Sequence, residues 1–197
     1  MEKPSHSNIR IFFYNIVFTS TCSTYYLHII FDLAIEIEGP VEIIRDQLAE
    51  KFSDYWSYWG LFFKVEAEIT VNFLDNNEWL NVFHFTYGGD NHVNGYRIPA
   101  LFINNDKYFY LCVAGFYKTQ FNFELGQKYH IVFQQYQLEE KVISEVRIDG
   151  EIVGSEENDV AKSFPAMKLY ISDPWWPAFT SNYGLLENFK ITKYSKY

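Results

Sequence analysis

At 197 residues the chain is long enough for one well-filled core, and β-rich domains of this length commonly stay single. Apolar residues make up 48% of it and aromatics 20%, which excludes a disordered chain. A formal charge of −9 with no run of Lys or Arg argues against nucleic acid and anionic membrane surfaces as partners.

The first 24 residues carry two readings. Lys3 and Arg10 precede the apolar run Ile11 to Phe18, and the small polar run Thr19 to Thr24 follows. That order is that of a signal peptide, with residues 25–197 as the mature domain. An N-terminal strand reads equally well, because Asn15 interrupts the apolar run and no Asn-x-Ser/Thr sequon follows anywhere. No window is long and apolar enough to span a bilayer as a helix, so membrane insertion is not expected.

From Leu27 the apolar residues take every second position: Leu27, Ile29, Phe31, Leu33, Ile35 and Ile37. Asp32, Glu36 and Glu38 take the other face, as a strand with one buried side requires. Gly39-Pro40 ends it, and Val41 to Ile44 reads as a further short strand. Trp56 and Trp59 then fall in a polar, loop-like segment, Ser53 to Gly60. The clearest strand is next: Phe63, Val65, Ala67, Ile69, Val71 and Phe73 alternate with Lys64, Glu66, Glu68, Thr70 and Asn72. Asp75-Asn76-Asn77 supplies a turn, and Trp79 to Tyr87 resumes as a strand with Trp79 in the core. Arg97 to Ile103 and Tyr108 to Ala114 flank a hairpin signal at Asn104 to Lys107.

Lys128 to Gln137 and Val142 to Ile148 follow, and Asp149-Gly150 is the best two-residue hairpin turn, since both residues tolerate the positive φ of type I′. Met167 to Ser172 and Leu185 to Tyr194 complete the set. There is no linker or internal repeat, so one all-β domain of antiparallel strands in two packed sheets is predicted. Of the two cysteines, Cys112 lies in a strand and reads as a buried small residue. Neither has a partner at metal-ligand spacing, and pairing of Cys22 with Cys112 stays open.

Several segments in order resemble a family. Phe123-Glu124-Leu125-Gly126-Gln127-Lys128-Tyr129 precedes a long strand, Ile148-Asp149-Gly150-Glu151 makes a hairpin, and Leu186-Glu187-Asn188-Phe189-Lys190-Ile191 forms a final strand. With Phe62 to Val71, Trp79 to Thr86, Tyr96 to Phe102 and Leu169 to Ala178, this order is similar to the laminin-G-like and pentraxin-like branch of the concanavalin A-like jelly-roll sandwiches. The resemblance spans roughly residues 41–194. It implies an extracellular recognition module that binds a glycan or an extracellular protein, in loops at an edge or on a sheet face, often with calcium.

The residues themselves offer three chemistries. Loop tryptophans Trp56, Trp59, Trp175 and Trp176 could stack on a sugar face, though the same rings could plug the ends of a sandwich. Asp75, Asn77, Asp90 and Asn91 offer oxygen ligands of the kind calcium takes, yet they are also default turn formers. A laminarinase-type glycosidase shares the fold and needs two carboxyl groups about 5–5.5 Å apart. Residues two apart on one strand face stand roughly 6–7 Å apart, which Glu66 with Glu68, and Glu36 with Glu38, would satisfy. Neither pair has the Glu-x-Asp-x-x-Glu pattern of those enzymes, and alternating charge on a solvated strand explains both. A non-catalytic recognition module is therefore expected, with a glycosidase or a structural, adhesive domain as alternatives. His84 lies within a strand and reads as structural.

Overall fold

The alternation of apolar and polar residues gives every long segment one face that must leave water, and two sheets stacked face to face satisfy all of them together. The computed structural model describes residues 9–21, 24–37, 41–44, 61–74, 79–87, 96–113, 117–164, 167–171 and 182–194, with backbone only in the first three strands. Every regular element among them is a strand: β1 (Ile9–Thr21), β2 (Thr24–Ile37), β3 (Val41–Ile44), β4 (Phe62–Val71), β5 (Trp79–Thr86), β6 (Ala100–Asn104) and β7 (Tyr108–Val113). Then come β8 (Tyr117–Asn122), β9 (Lys128–Leu138), β10 (Lys141–Ile148), β11 (Glu151–Glu157), β12 (Lys168–Ile171) and β13 (Asn182–Tyr194).

The larger sheet runs β1-β2-β13-β4-β9-β10-β11, with β3 also paired to β13, and the smaller runs β12-β5-β6-β7-β8. All pairings are antiparallel. The expected all-β, two-sheet antiparallel sandwich is what the chain forms.

β4 shows how sequence becomes packing. Phe63, Val65, Ala67, Ile69 and Val71 are buried between the sheets, and Lys64, Glu66, Glu68 and Thr70 stay half-buried on the other side. The smaller sheet returns Leu80, Phe83, Phe85, Leu101, Ile103, Phe109 and Leu111 to the same core. Phe83 anchors the contact, its ring edge-on to Phe133 at 5.5 Å and to Phe189 at 5.3 Å. The turns follow the expected chemistry. Asp149 and Gly150 both have positive φ, 51° and 90°, which is the type I′ requirement, and Lys107 closes the β6–β7 hairpin at φ 59°.

One strand, β8, lies where none was predicted, and β11 is the return strand that the Asp149-Gly150 hairpin implied. β8 alternates Thr119 and Phe121 inward with Gln120 and Asn122 outward, a pattern too short and polar to stand out. β11 is a sheet edge with mostly exposed residues, so it carries no apolar period at all.

Lys193 is an exception to the inward rule. Register sets it opposite Phe63 of the core, and burial pushes its ammonium pKa down to about 8. The unfolded chain therefore binds more protons between pH 8 and the ordinary lysine value of 10.5, and stability gains from this group as pH rises through that window. Below pH 8 the full penalty is present. Lys193→Met is expected to be the more stable protein at pH 7, by on the order of 1–2 kcal/mol after solvent screening. Urea melts of both proteins should show that difference closing between pH 8 and 10.5; a constant difference would mean the amine is not desolvated.

Candidate recognition face

The outer side of the smaller sheet is unusual because it is apolar. Ala100, Phe102, Tyr110 and Cys112, with Tyr108 against them, form a second cluster separate from the core. A β-bulge creates this face. Between Asn81 and Phe83 the β5–β6 register shifts, so Val82 and Phe83 both turn inward opposite Leu101. The extra residue resets the alternation, and Trp79, Asn81, His84 and Thr86 all come to lie outward.

Pairing then lays the face out in rows. One holds Tyr170, His84, Ala100 and Cys112; the next holds Asn81, Phe102, Tyr110 and Gln120; the last holds Trp79 with Asn104, and Tyr108 with Asn122. The first row is roofed by the chain entering β6. His84 Nε2 donates to the Tyr96 carbonyl, and the Arg97 guanidinium carbon sits 4.7 Å from the centre of the Phe102 ring. His84 is fully buried and edge-on to Phe102, in keeping with a structural role.

The last row is partly open, with Trp79 and Asn122 exposed, Tyr108 half-buried and Asn104 buried. Trp79 is 38% exposed, which corrects its expected place in the core: it begins the strand in outward phase, two residues before the bulge. Tyr110 and Tyr108 hold its ring edge-on, with centroids at 5.3 and 6.1 Å. Gln120 and Asn122 are exposed beside the tyrosines. Asn104 Oδ1 accepts from the backbone N–H of Asp106 and of Tyr108, which fixes the hairpin that carries Tyr108. Behind Trp79, the Asn81 amide is 1% exposed and neither polar atom has a hydrogen-bond partner. A buried amide left so costs on the order of 1–3 kcal/mol. The result is an aromatic floor rimmed by amides.

The outer side of the larger sheet has opposite character. Glu66 and Glu68 do share one face, as expected, but each is tied to a lysine. Lys64 Nζ is 2.5 Å from Glu66, and Lys128 Nζ bridges Glu68 at 3.1 Å and Glu187 at 2.7 Å. The hydrogen bond from Lys128 holds the Glu68 carboxyl below its usual pKa, the reverse of what a general acid needs. Glu36 takes a position on the same face opposite Lys190, and Glu38 lies outside the described residues. Further along, Glu145 is buried yet satisfied: Gln134 Nε2 and Arg147 Nε each donate at 2.6 Å, and the Tyr136 hydroxyl donates at 3.1 Å. Burial, then the bond to Glu145, pushes the Tyr136 pKa up.

Trp56, Trp59, Trp175, Trp176, Asp75, Asn77, Asp90 and Asn91 all lie outside the described residues, as does Cys22; Cys112 is buried in the outer cluster. Among the described residues no group of three or more His, Cys, Asp or Glu could hold a metal ion, and no helix is long and apolar enough to cross a membrane.

No protein-family model matches the chain, and no curated protein matches it. Solved structures do. A sialidase of Trypanosoma rangeli aligns over 80% of this chain and 27% of its own, at 14% identity and a TM-score of 0.50. The carbohydrate binding module CBM66 from Bacillus subtilis aligns over 91% of this chain and 94% of its own, at 12% identity and a TM-score of 0.35. A heptameric SAP-like pentraxin from Limulus polyphemus aligns over 77% and 74%, at 15% and 0.48. The chain thus spans about a quarter of the sialidase's length. At these identities the likeness concerns the fold alone.

Proposed function

We propose that this chain is a non-catalytic recognition module of the concanavalin A-like kind that binds carbohydrate on the outer face of its smaller sheet. The carrying observation is the Trp79 ring, over a third exposed and braced by Tyr108 and Tyr110. A braced aromatic offers a flat apolar surface to the C–H face of a pyranose at little entropic cost. The amides of Gln120 and Asn122 at its rim supply donors and acceptors for hydroxyl groups. Catalysis is disfavoured by the chemistry of Glu66 and Glu68, which are bound to lysines on a mixed-charge face. An extracellular setting and help from calcium at the Asp75 and Asp90 loops belong to the same reading, carried by the family resemblance.

The test is a glycan array probed with the purified protein, once with calcium and once with chelator. Trp79→Ala is expected to weaken binding at least tenfold while leaving the thermal midpoint within a few degrees of wild type. Glycan binding that ignores Trp79 would move the site off this face, and an array silent in both conditions would end the carbohydrate reading. Loss on chelation would assign calcium a part.

A further inference from the structure

The two edges of the larger sheet differ. β11 forms one of them with exposed Glu151, Glu156 and Glu157, and Thr119 Oγ1 of β8 donates to its Val153 carbonyl at 3.2 Å. Charge and cover of this kind keep an edge from pairing with other chains. β1 forms the other edge, and among the described residues β2 is the one strand paired with it. From Ile11 to Phe31 the β1–β2 hairpin carries no Asp, Glu, Lys or Arg, in a chain where 21% of residues are charged.

Register shows what this edge presents. Ile35 pairs with Ile11 on one side and with Ile191 of the core on the other, so Ile11 shares the inner face and Phe12 and Tyr14 the outer. Between the pairs Tyr14–Asp32 and Ile16–Ile29, β1 advances two residues and β2 three. The extra residue lies on β2, so β1 keeps its phase, and Phe12, Tyr14, Ile16 and Phe18 share the outer face. β2 changes phase, which brings Leu27 and Ile29 onto that face opposite Phe18 and Ile16. The hairpin also leaves the rest of the sheet, because among the described residues β13 pairs with β2 only from Leu33 to Glu36. A two-stranded ribbon is marginally stable by itself in water and gains from added strands.

We propose that β1 is a self-association edge: two copies of this chain pair β1 with β1, antiparallel, about a two-fold axis at Asn15. In that register Phe12 stands opposite Phe18 of the second copy and Tyr14 opposite its Ile16, so the uncharged stripe meets itself. All of Ile9–Thr21 is paired, as a closed two-fold contact requires of a self-complementary surface. The ribbon becomes four-stranded, in the order β2-β1-β1-β2. Charge favours this way of meeting. Two chains of −9 repel each other, and the hairpin is a place where contact brings no like charges together.

The experiment is sedimentation equilibrium of the full chain, of Ile16→Lys, of Ile16→Glu and of an equimolar mixture of the two variants. Wild type is expected to be a dimer at tens of micromolar. Either variant alone sets like charges diagonally across the axis, about 7–8 Å apart, and should weaken the dimer roughly tenfold or more. The mixture should recover it, since lysine then meets glutamate, and chains that had merely misfolded would not recover. In a Cys22→Ser background, Asn15→Cys should form a disulfide between copies, because residues facing each other in an antiparallel pair have Cα atoms about 4.5–5.5 Å apart, within disulfide reach. A monomeric wild type would overturn the proposal, and flotation of that monomer with phosphatidylcholine vesicles would assign the hairpin to a lipid surface instead. A dimer that both Ile16 variants leave intact would overturn its placement at β1. A dimer without the Asn15→Cys cross-link would overturn the register.

Discussion

Gly184→Ala is expected to lower the stability of the domain by at least about 3 kcal/mol, and to leave little folded protein if the native margin is ordinary. Gly184 sits in β13 opposite Val71 of β4 and Ile43 of β3. A Cβ there would stand 2.0 Å from the Thr70 carbonyl oxygen and 3.0 Å from two more backbone atoms. Backbone cannot rotate away as a side chain can, so either β13 leaves the ladder or β4 bends. The measurement is the urea midpoint against wild type. A midpoint shifted by less than about 1 kcal/mol equivalent would show that the two strands are not this close.

Gln135→Leu is expected to cost about 3 kcal/mol, although it keeps nearly the same volume. Gln135 points inward from β9 and is almost fully buried. Its Nε2 donates to the Leu61 carbonyl at 2.6 Å, and its Oε1 accepts from Ser144 Oγ at 3.0 Å and from Asn158 Nδ2 at 2.8 Å. One side chain thus satisfies three groups from three segments; leucine takes the donor from the Leu61 carbonyl and leaves Ser144 and Asn158 only the 3.2 Å bond from Asn158 Nδ2 to Ser144 Oγ. Adding Ser144→Ala to Gln135→Leu should cost less than the two single effects summed, because the hydroxyl then has no lost partner. Strict additivity in denaturant melts would mean the three groups do not act as a unit.

The fold was legible because it rests on a local period. β4 declares itself by five inward apolar residues at every second position, and Asp149-Gly150 by a pair of residues suited to positive φ. Trp79 was misplaced because a bulge two residues downstream changes the phase, and consecutive Val82 and Phe83 give only a faint sign of it. The pairing of Glu66 with Glu68 on one face could be read from their spacing. Their lysines could not all be read so, since Lys128 arrives from another strand. The recognition face needs β5, β6, β7 and β8 in register, and register is a property of pairs of strands. Gly184 was invisible for the same reason: what excludes a Cβ is the carbonyl of Thr70, far upstream.

The place of β13 in the larger sheet bears on how the chain folds during synthesis. It is the last of the described strands in chain order, yet it lies between β2 and β4 and pairs with both, and with β3. While the ribosome is still making residues 182–194, the β1–β2 hairpin and the β4-β9-β10-β11 block have no strand to join them. The nascent chain must carry two half-sheets with open edges, the situation in which partly made β domains are exposed to wrong pairing. Closing the fold is then a single late insertion between two waiting edges, and a ribosome stalled just before Asn182 would hold a chain unable to complete its larger sheet.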